Sequence, residues 1–308
     1  MNLTKEIRKL TLAEGFHKVG IASANKINTG NHLLEWLRRG YHGDMDWFVK
    51  NKNLRIDVKK YFPAAKSIIC VAHNYYQDQT LPSDTGGLKI SRYAWGRGYH
   101  KIIKNKLENV LNKIKKLKPG LEGITCVDTS PVTEKAWAVQ AGIGWQGKHT
   151  VVISKEYGSW FFLGEIIVDR YLDYDDPAEN LCGDCRLCVE ACPTGAIVAP
   201  YVLDARKCIA YMTIENSKDR IPPHLAKKMN NWIYGCDICQ QVCPWNKKYQ
   251  HTTGETCYLA EFDLNLLNKQ YMGTLDRERF DNLFKESEIG RLGYKHFMRN
   301  IQAVSRFK

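Results

Sequence analysis

No run in this 308-residue chain approaches the ~18 consecutive apolar residues that a membrane-spanning helix needs. Its opening stretch, MNLTKEIRKLTLAEGF, scatters charge through its apolar positions and lacks the apolar core of a secretion signal. The chain is therefore expected to work in the cytoplasm, with no membrane partner. Acidic residues are also short: 33 Asp and Glu face 45 Lys and Arg, a formal charge of +12. That deficit suits a polyanionic partner, because phosphate contacts release counterions, but it names none. Disorder is excluded by a hydrophobic content of 44%, enough to fill one large domain or two ordinary ones. Cysteine is not in short supply. A reducing cytoplasm argues against a disulfide framework for eleven cysteines, which leaves metal or redox chemistry for those that cluster.

Apolar periodicity predicts helices near 2–15, 31–39, 100–117 and 133–141, and strands near 18–22, 66–73, 123–128, 149–154 and 159–168. This mixture implies an α/β or α+β domain ending near Asp169. An acidic, proline-containing joint, DYDDPAEN (Asp173 to Asn180), precedes a cysteine-rich segment, and beyond Trp245 the composition turns to charged, amphipathic helix. In KIIKNKLENVLNKIKKLKPG, residues Ile103, Leu107, Val110, Ile114 and Leu117 mark one helical face, which leaves most of its seven lysines toward solvent. Those lysines form either an ordinary solvated face or a phosphate-tracking one.

CGDCRLCVEACPTGAI sets Cys182, Cys185, Cys188 and Cys192 in the pattern C-x2-C-x2-C-x3-C, followed by Pro193. In two-cluster ferredoxins such a run gives three thiolates to one 4Fe–4S cube and the fourth to its neighbour, so one run predicts a second. The second is present in stretched form: Cys208, then Cys236, Cys239 and Cys243 followed by Pro244, with 27 residues inserted after its first cysteine. Crossed wiring assigns Cys182, Cys185, Cys188 and Cys243 to one cluster, and Cys192, Cys208, Cys236 and Cys239 to the other. Zinc is the rival ligand, although two consecutive x2 gaps closed by x3 are poor spacing for tetrahedral sites. Cys70, Cys126 and Cys257 remain, the first two in apolar, strand-like stretches that suit packing.

Two clusters form a wire, and a wire needs an acceptor. GIGWQG (Gly142 to Gly147) matches the dinucleotide fingerprint, but that fingerprint needs a strand before it and a helix after. Here the predicted order is helix then strand, so a glycine helix stop is the simpler reading. No C-x3-C-x2-C triplet of the kind expected in radical S-adenosylmethionine enzymes is present.

The segments SRYAWGRGYH, VDTSPVTEKAWAVQAGIGWQGKHT, YGSWFFLGEI, CPTGAIVAPYVLDARKCIAYMTIE and IYGCDICQQVCPWN together resemble the epoxyqueuosine reductase family, in order and across residues 1–250. The resemblance implies an α+β protein: an α/β cobalamin-binding catalytic domain over 1–172, a ferredoxin-like domain with two 4Fe–4S clusters over 173–250, and a short helical C-terminus over 251–308. It implies reduction of epoxyqueuosine at the wobble position of a tRNA anticodon, with electrons passed from a low-potential donor through the clusters to cobalamin. Glu134, in VDTSPVTEK, falls at the family's proton-donor position, where some members have Asp; otherwise it is an acidic residue that merely starts a helix. Arg55, Ser91, Gly158, Asp169 and Asp237 fall where relatives line the cobalamin. For Arg55 and Asp169 the alternative is an ordinary ion pair. No histidine lies in a D-x-H-x-x-G pattern, so cobalamin is expected with its base tail displaced and no histidine below the metal. Lys218, Arg220, Lys227 and Lys228, in the insertion between Cys208 and Cys236, are candidates for the anticodon loop. A cobalamin-dependent reductase of the reductive dehalogenase type shares this plan, but a twin-arginine export signal would be expected and none is seen. A monomer is expected.

The wiring has a measurable consequence. Anaerobically reconstituted protein should hold about eight iron and about eight sulfide. Cys243→Ala should remove the cluster anchored by Cys182, Cys185 and Cys188, despite its distance in sequence. Stoichiometric zinc without labile sulfide would contradict it.

Overall fold

Ser67–Asn74 (SIICVAHN) and Phe161–Val168 (FFLGEIIV) are the two most continuously apolar strand candidates, rich in the β-branched residues that favour pleated structure. Both form strands buried along almost their whole length. The computed structural model describes residues 2–25, 27, 30–79 and 87–306. They fall into two units that do not follow chain order: 1–40, 46–74 and 99–185 in one, and 41–45, 75–98 and 186–308 in the other.

The principal elements of the first unit are α1 (Leu3–Ala13), β1 (Lys18–Ser23), β2 (Ser67–Asn74), α2 (Tyr99–Leu117), β3 (Gly123–Cys126), α3 (Glu134–Gln140) and β4 (Phe161–Val168). They match the helices and strands expected near these positions, although the strand expected near 149–154 shortens to Val152–Ile153. The sheet has the order β1-β2-β4-β3, with every pair antiparallel. The mixed composition thus resolves into an α+β arrangement, without the parallel strands of a βαβ fold. In the register, Glu165 of β4 lies opposite both Cys70 of β2 and Cys126 of β3. Directly opposed residues share a face, and successive residues alternate between faces.

One face of the sheet, with Ile68, Cys70, Ala72, Cys126, Phe161 and Ile167, packs against Trp137 and Ala138 of α3 and the adjoining Ala141. The other meets α2: a Cβ at Gly164 would stand 3.0 Å from both Ile103 and Leu107. Burial of Ile103, Leu107, Val110 and Ile114 follows the periodicity, while Leu117 is only half-buried. Several α2 lysines have local acceptors: Lys113 pairs with Glu14, Lys106 donates to the Glu14 carbonyl, and Lys115 pairs with Glu122 at 3.1 Å. These contacts favour the ordinary solvated face.

The second unit contains α4 (Ile209–Ile214), β5 (Trp232–Tyr234), α5 (Arg277–Phe284) and α6 (Tyr294–Ser305). Phe280, Phe284 and Phe297 pack their rings against one another at tilted angles in its core, so the expected helical C-terminus carries core aromatics of its own. Arg299 and Asn300 of α6 are buried. Arg299 donates to the carbonyls of Met212, Asn216 and Lys218, and Asn300 to those of Thr213 and Ile233. A buried guanidinium needs such acceptors, and here they tie down the start of the basic insertion. No helix among the described residues is long and apolar enough to cross a membrane.

Gly20 of β1 offers a test of the packing between sheet and α3, because a Cβ there would lie 1.9 Å from the Ala141 carbonyl oxygen. Overpacking of this kind typically costs ~1–3 kcal/mol, and Gly20→Ala should lower stability by about that much in denaturant titration. An unchanged midpoint would show that this contact yields freely.

Candidate active site

The turn VDTSPVTEK connects β3 to α3, and its backbone is shaped to bring a carboxyl back upon itself. Asp128 has φ of +44°, a left-handed conformation that Asp tolerates better than most residues. Glu134, the first residue of α3, accepts a hydrogen bond from the Asp128 backbone N–H through Oε1. The Asp128 carboxylate faces outward to His100 Nε2 at 2.7 Å. Burial, followed by the neighbouring Asp128 charge, pushes the half-buried Glu134 carboxyl up to about 7, against the lowering effects of the Asp128 N–H, Lys135 and Arg55. A carboxyl at this level still holds a proton near neutrality and can deliver it, as a general acid must.

Arg55 is 7% exposed, donates from Nη1 to the Val132 carbonyl at 2.9 Å, and stacks its guanidinium 4.5 Å from the centre of the Phe48 ring. Burial lowers its pKa, while Glu134 and Asp128 oppose that shift. Its Nε–H is buried with no acceptor, a donor left over for a bound group. Thr133 donates to the Arg55 carbonyl at 3.3 Å, which holds Arg55 beside the Glu134 turn. The structure therefore brings Arg55 and Glu134 together, with Asp128 and His100 as neighbours that the sequence did not single out.

Gly158 closes a tight turn at φ of +57°, its carbonyl accepting from the Ser154 N–H. Asp169 is placed elsewhere. It accepts from the Glu122 N–H at 2.9 Å and pairs with Arg170 at 2.5 Å, at the opposite end of the β3–β4 ladder from Glu134. That is the ordinary ion pair named as its alternative. In the second unit Ser91 donates to Asp237 Oδ1, and the Arg92 N–H donates to Asp237 Oδ2 at 2.9 Å. Both side chains are buried, at 4% and 1% exposure, and burial raises the Asp237 pKa against the pull of these donors. The pair is 146 residues apart in sequence.

Of the eight motif cysteines, Cys182 and Cys185 belong to the first unit and the other six to the second. The Cys236 and Cys239 thiols are both pushed up by burial, with Cys208 and Cys192 among the further causes in each case. This is the set that crossed wiring assigns to one cluster. The Ala196 N–H donates to Cys192 Sγ at 3.2 Å, the kind of contact that tunes a cluster's potential. Among the described residues no three His, Cys, Asp or Glu side chains converge as ligands of a single ion. In the first unit Lys148 Nζ donates to the carbonyls of Gly183, at 2.5 Å, and Cys185, at 2.9 Å, holding the Cys182 to Cys185 loop.

Two family models match the chain: "Epoxyqueuosine reductase QueG, DUF1730" over residues 55–129, and "4Fe-4S double cluster binding domain" over residues 181–246. The epoxyqueuosine reductase of Prochlorococcus marinus (strain NATL2A) is 40% identical over 311 residues, covering 99% of this chain and 98% of that protein. The chain belongs to the epoxyqueuosine reductase family. The Vibrio cholerae member (serotype O1, El Tor Inaba N16961) is 39% identical, covering 97% of this chain and 82% of its own. A crystal structure of an epoxyqueuosine reductase with an epoxyqueuosine-modified stem loop of a tyrosine tRNA superposes with a TM-score of 0.89 at 29% identity, covering 99% of this chain and 81% of that one. Epoxyqueuosine reductases are oxidoreductases, and the eight motif cysteines of this member lie within the double-cluster match, whose donor set of soft thiolates suits iron–sulfur cubes.

One buried residue on the α3 face escaped the sequence reading. Glu165 is the lone charge in FFLGEIIV, and a single acid inside an apolar strand is the signal that could have marked it.

The raised Glu134 carboxyl predicts a pH-dependent stability. Its folded pKa lies above the ordinary value of 4.5, so folding favours the protonated form and stability falls as pH rises from that value through about 7. Glu134→Gln removes the effect. Its Tm relative to wild type should therefore rise between about pH 5 and about pH 8, and a constant difference would mean that Glu134 titrates normally.

Proposed function

We propose that this protein reduces the epoxide of epoxyqueuosine in tRNA to queuosine, with Glu134 as the proton donor. The observation that carries this reading is the Glu134 carboxyl itself, turned back on the Asp128 N–H with its pKa pushed up to about 7 by burial, in a chain of this family. An epoxide opens when a strong reductant or nucleophile meets carbon while an acid meets oxygen. Bound cobalamin, reduced through two 4Fe–4S clusters by an external low-potential donor, supplies the first requirement. Arg55, with its unused Nε–H, and the Gly158 turn are proposed to contact the cofactor. Both Asp237 oxygens hold the Ser91–Arg92 turn of the second unit. Asp169 is proposed only as a support for the end of the sheet. The two clusters are proposed to be held by Cys182, Cys185, Cys188 and Cys243, and by Cys192, Cys208, Cys236 and Cys239.

The tRNA side rests on charge and on the relative captured with a modified stem loop. Lys218, Arg220, Lys227 and Lys228 are all exposed on the insertion, and the anticodon loop is proposed to reach them. The wobble base must leave its stack to meet the reactive centre, as in other enzymes that modify bases. Reaction on tRNA sets the work in the cytoplasm.

Two measurements test this reading. Incubated anaerobically with epoxyqueuosine-containing tRNA and a strong reductant, the wild type should form queuosine, read by mass spectrometry of digested tRNA. Glu134→Gln should keep its clusters and lose ~10²–10⁴-fold in turnover, the usual loss on removing a general acid. Unaltered turnover by a loaded variant would remove Glu134 from the mechanism. Binding of the tRNA should weaken steeply with salt, and Lys227→Glu with Lys228→Glu should flatten the dependence of log affinity on log salt. An affinity indifferent to salt would contradict the phosphate contacts.

A further inference from the structure

The second ferredoxin run differs from the first in one respect, the 27 residues that separate Cys208 from Cys236. Two thiolates that serve one cluster must return to each other, and closing a longer loop costs more conformational entropy. Something has to hold the loop shut at its neck.

The neck lies in the second unit. α4 begins directly after Cys208, and only Gly235 stands between β5 and Cys236, so these two elements are the stems of the loop. Thr213, near the end of α4, is fully buried, and its hydroxyl accepts at 3.0 Å from the N–H of Gly235, which turns the chain toward Cys236 at φ of +66°. The same hydroxyl donates at 2.8 Å to the carbonyl of Ile209, the residue after Cys208. One side chain thus joins the neighbour of the first ligand to the neighbour of the second. Asn300 of α6 adds a bridge from outside the loop: its Nδ2 donates to the carbonyls of Thr213 at 2.8 Å and Ile233 at 2.9 Å, one on each stem. Its Oδ1 accepts from Nε and Nη2 of Arg299, at 3.1 and 2.9 Å. A guanidinium can only donate, which fixes the orientation of the amide and commits its N–H groups to the stems. Asn300 is itself fully buried, and a satisfied polar network in the interior holds the chain to one arrangement.

We propose that Thr213 and Asn300 are positioning residues for an iron–sulfur cluster, a clasp that closes the neck of the long loop and holds Cys208 and Cys236 ready for the same cube. The C-terminal helix α6 then serves the cluster, although it carries none of the ligands. Arg299 extends the clasp to the carbonyls of Asn216 and Lys218, where the basic insertion begins. The inference rests on the proposed assignment of Cys192, Cys208, Cys236 and Cys239 to one cluster. The other cluster, assigned to Cys182, Cys185, Cys188 and Cys243, takes no ligand from the neck and is the internal reference.

The test is the release of iron to a chelator from anaerobically reconstituted, full-length protein, followed by electron paramagnetic resonance of the reduced product. Thr213→Val keeps the branched shape and removes the hydroxyl, and Asn300→Leu keeps the volume and removes the amide. Each should release about four of its about eight irons roughly tenfold faster than the wild type, with the remainder leaving at the wild-type rate. The spectrum that remains should match that of Cys208→Ala and differ from that of Cys182→Ala. Thr213→Ser, which keeps the hydroxyl, should restore slow release. Wild-type release from both Thr213→Val and Asn300→Leu overturns the clasp. Equal acceleration of both cubes overturns it too, since that is a general loss of stability. Where Asn300→Leu fails to fold, Thr213→Val and Thr213→Ser decide the outcome by themselves. A wild type without two cubes overturns the cluster assignment and the clasp with it, which is distinct from two intact cubes indifferent to Thr213→Val.

Discussion

Antiparallel pairing of Phe161–Val168 with its two neighbours is the constraint on which the first unit's chemistry depends. The pairing lines up Cys70, Glu165 and Cys126 in one row. A slip of one residue would carry Glu165 to the α2 side and Gly164 to the α3 side. A Cβ at Gly164 would crowd Ile103 and Leu107 of α2 at 3.0 Å, so the register is favoured from that face as well. On the other face the sheet offers α3 a floor of Ile68, Ala72, Phe161 and Ile167 around the acid. The helix that begins with Glu134 therefore stands above an interior that is apolar except for one carboxyl.

An apolar floor changes what a carboxyl does. In water a glutamic acid is ionised near neutrality and is a poor proton donor. Under α3, desolvation favours the neutral form, and nearby Asp128 opposes a second negative charge. The Asp128 N–H, Lys135 and Arg55 work in the other direction and keep Glu134 within reach of deprotonation. The left-handed Asp128 matters here because it aims its N–H at Glu134 while sending its carboxylate out to His100. A general acid needs this balance, since it must hold its proton before the reaction and release it during it.

The cysteine-rich region is governed by a different force. Burial raises the Cys236 and Cys239 thiols, with Cys192 and Cys208 adding to the shift of each. Iron binds cysteine as thiolate, so metal loading and the folding of this region are thermodynamically linked. The loop between Cys208 and Cys236 is anchored by Arg299 and Asn300 on α6, which leaves its lysines at the surface.

Much of this was legible in the chain. Thiolate spacing is local, so the two ferredoxin runs could be read directly, as could the helix of Ile103, Leu107, Val110 and Ile114 from its period. Glu134 could be picked out through its family resemblance, but residue order alone could not separate a proton donor from a helix start. Tertiary structure decided what depends on distant partners: Ser91 with Asp237 across 146 residues, Asp169 tied to the Glu122 N–H, and Glu165 set under α3. The division into discontinuous units, with 75–98 joined to 186–308, was likewise invisible in chain order. The physical reason is common to all of them. Spacing and periodicity record which residues are near in sequence, whereas burial, strand register and the resulting pKa values are set by groups that meet only when the chain has folded.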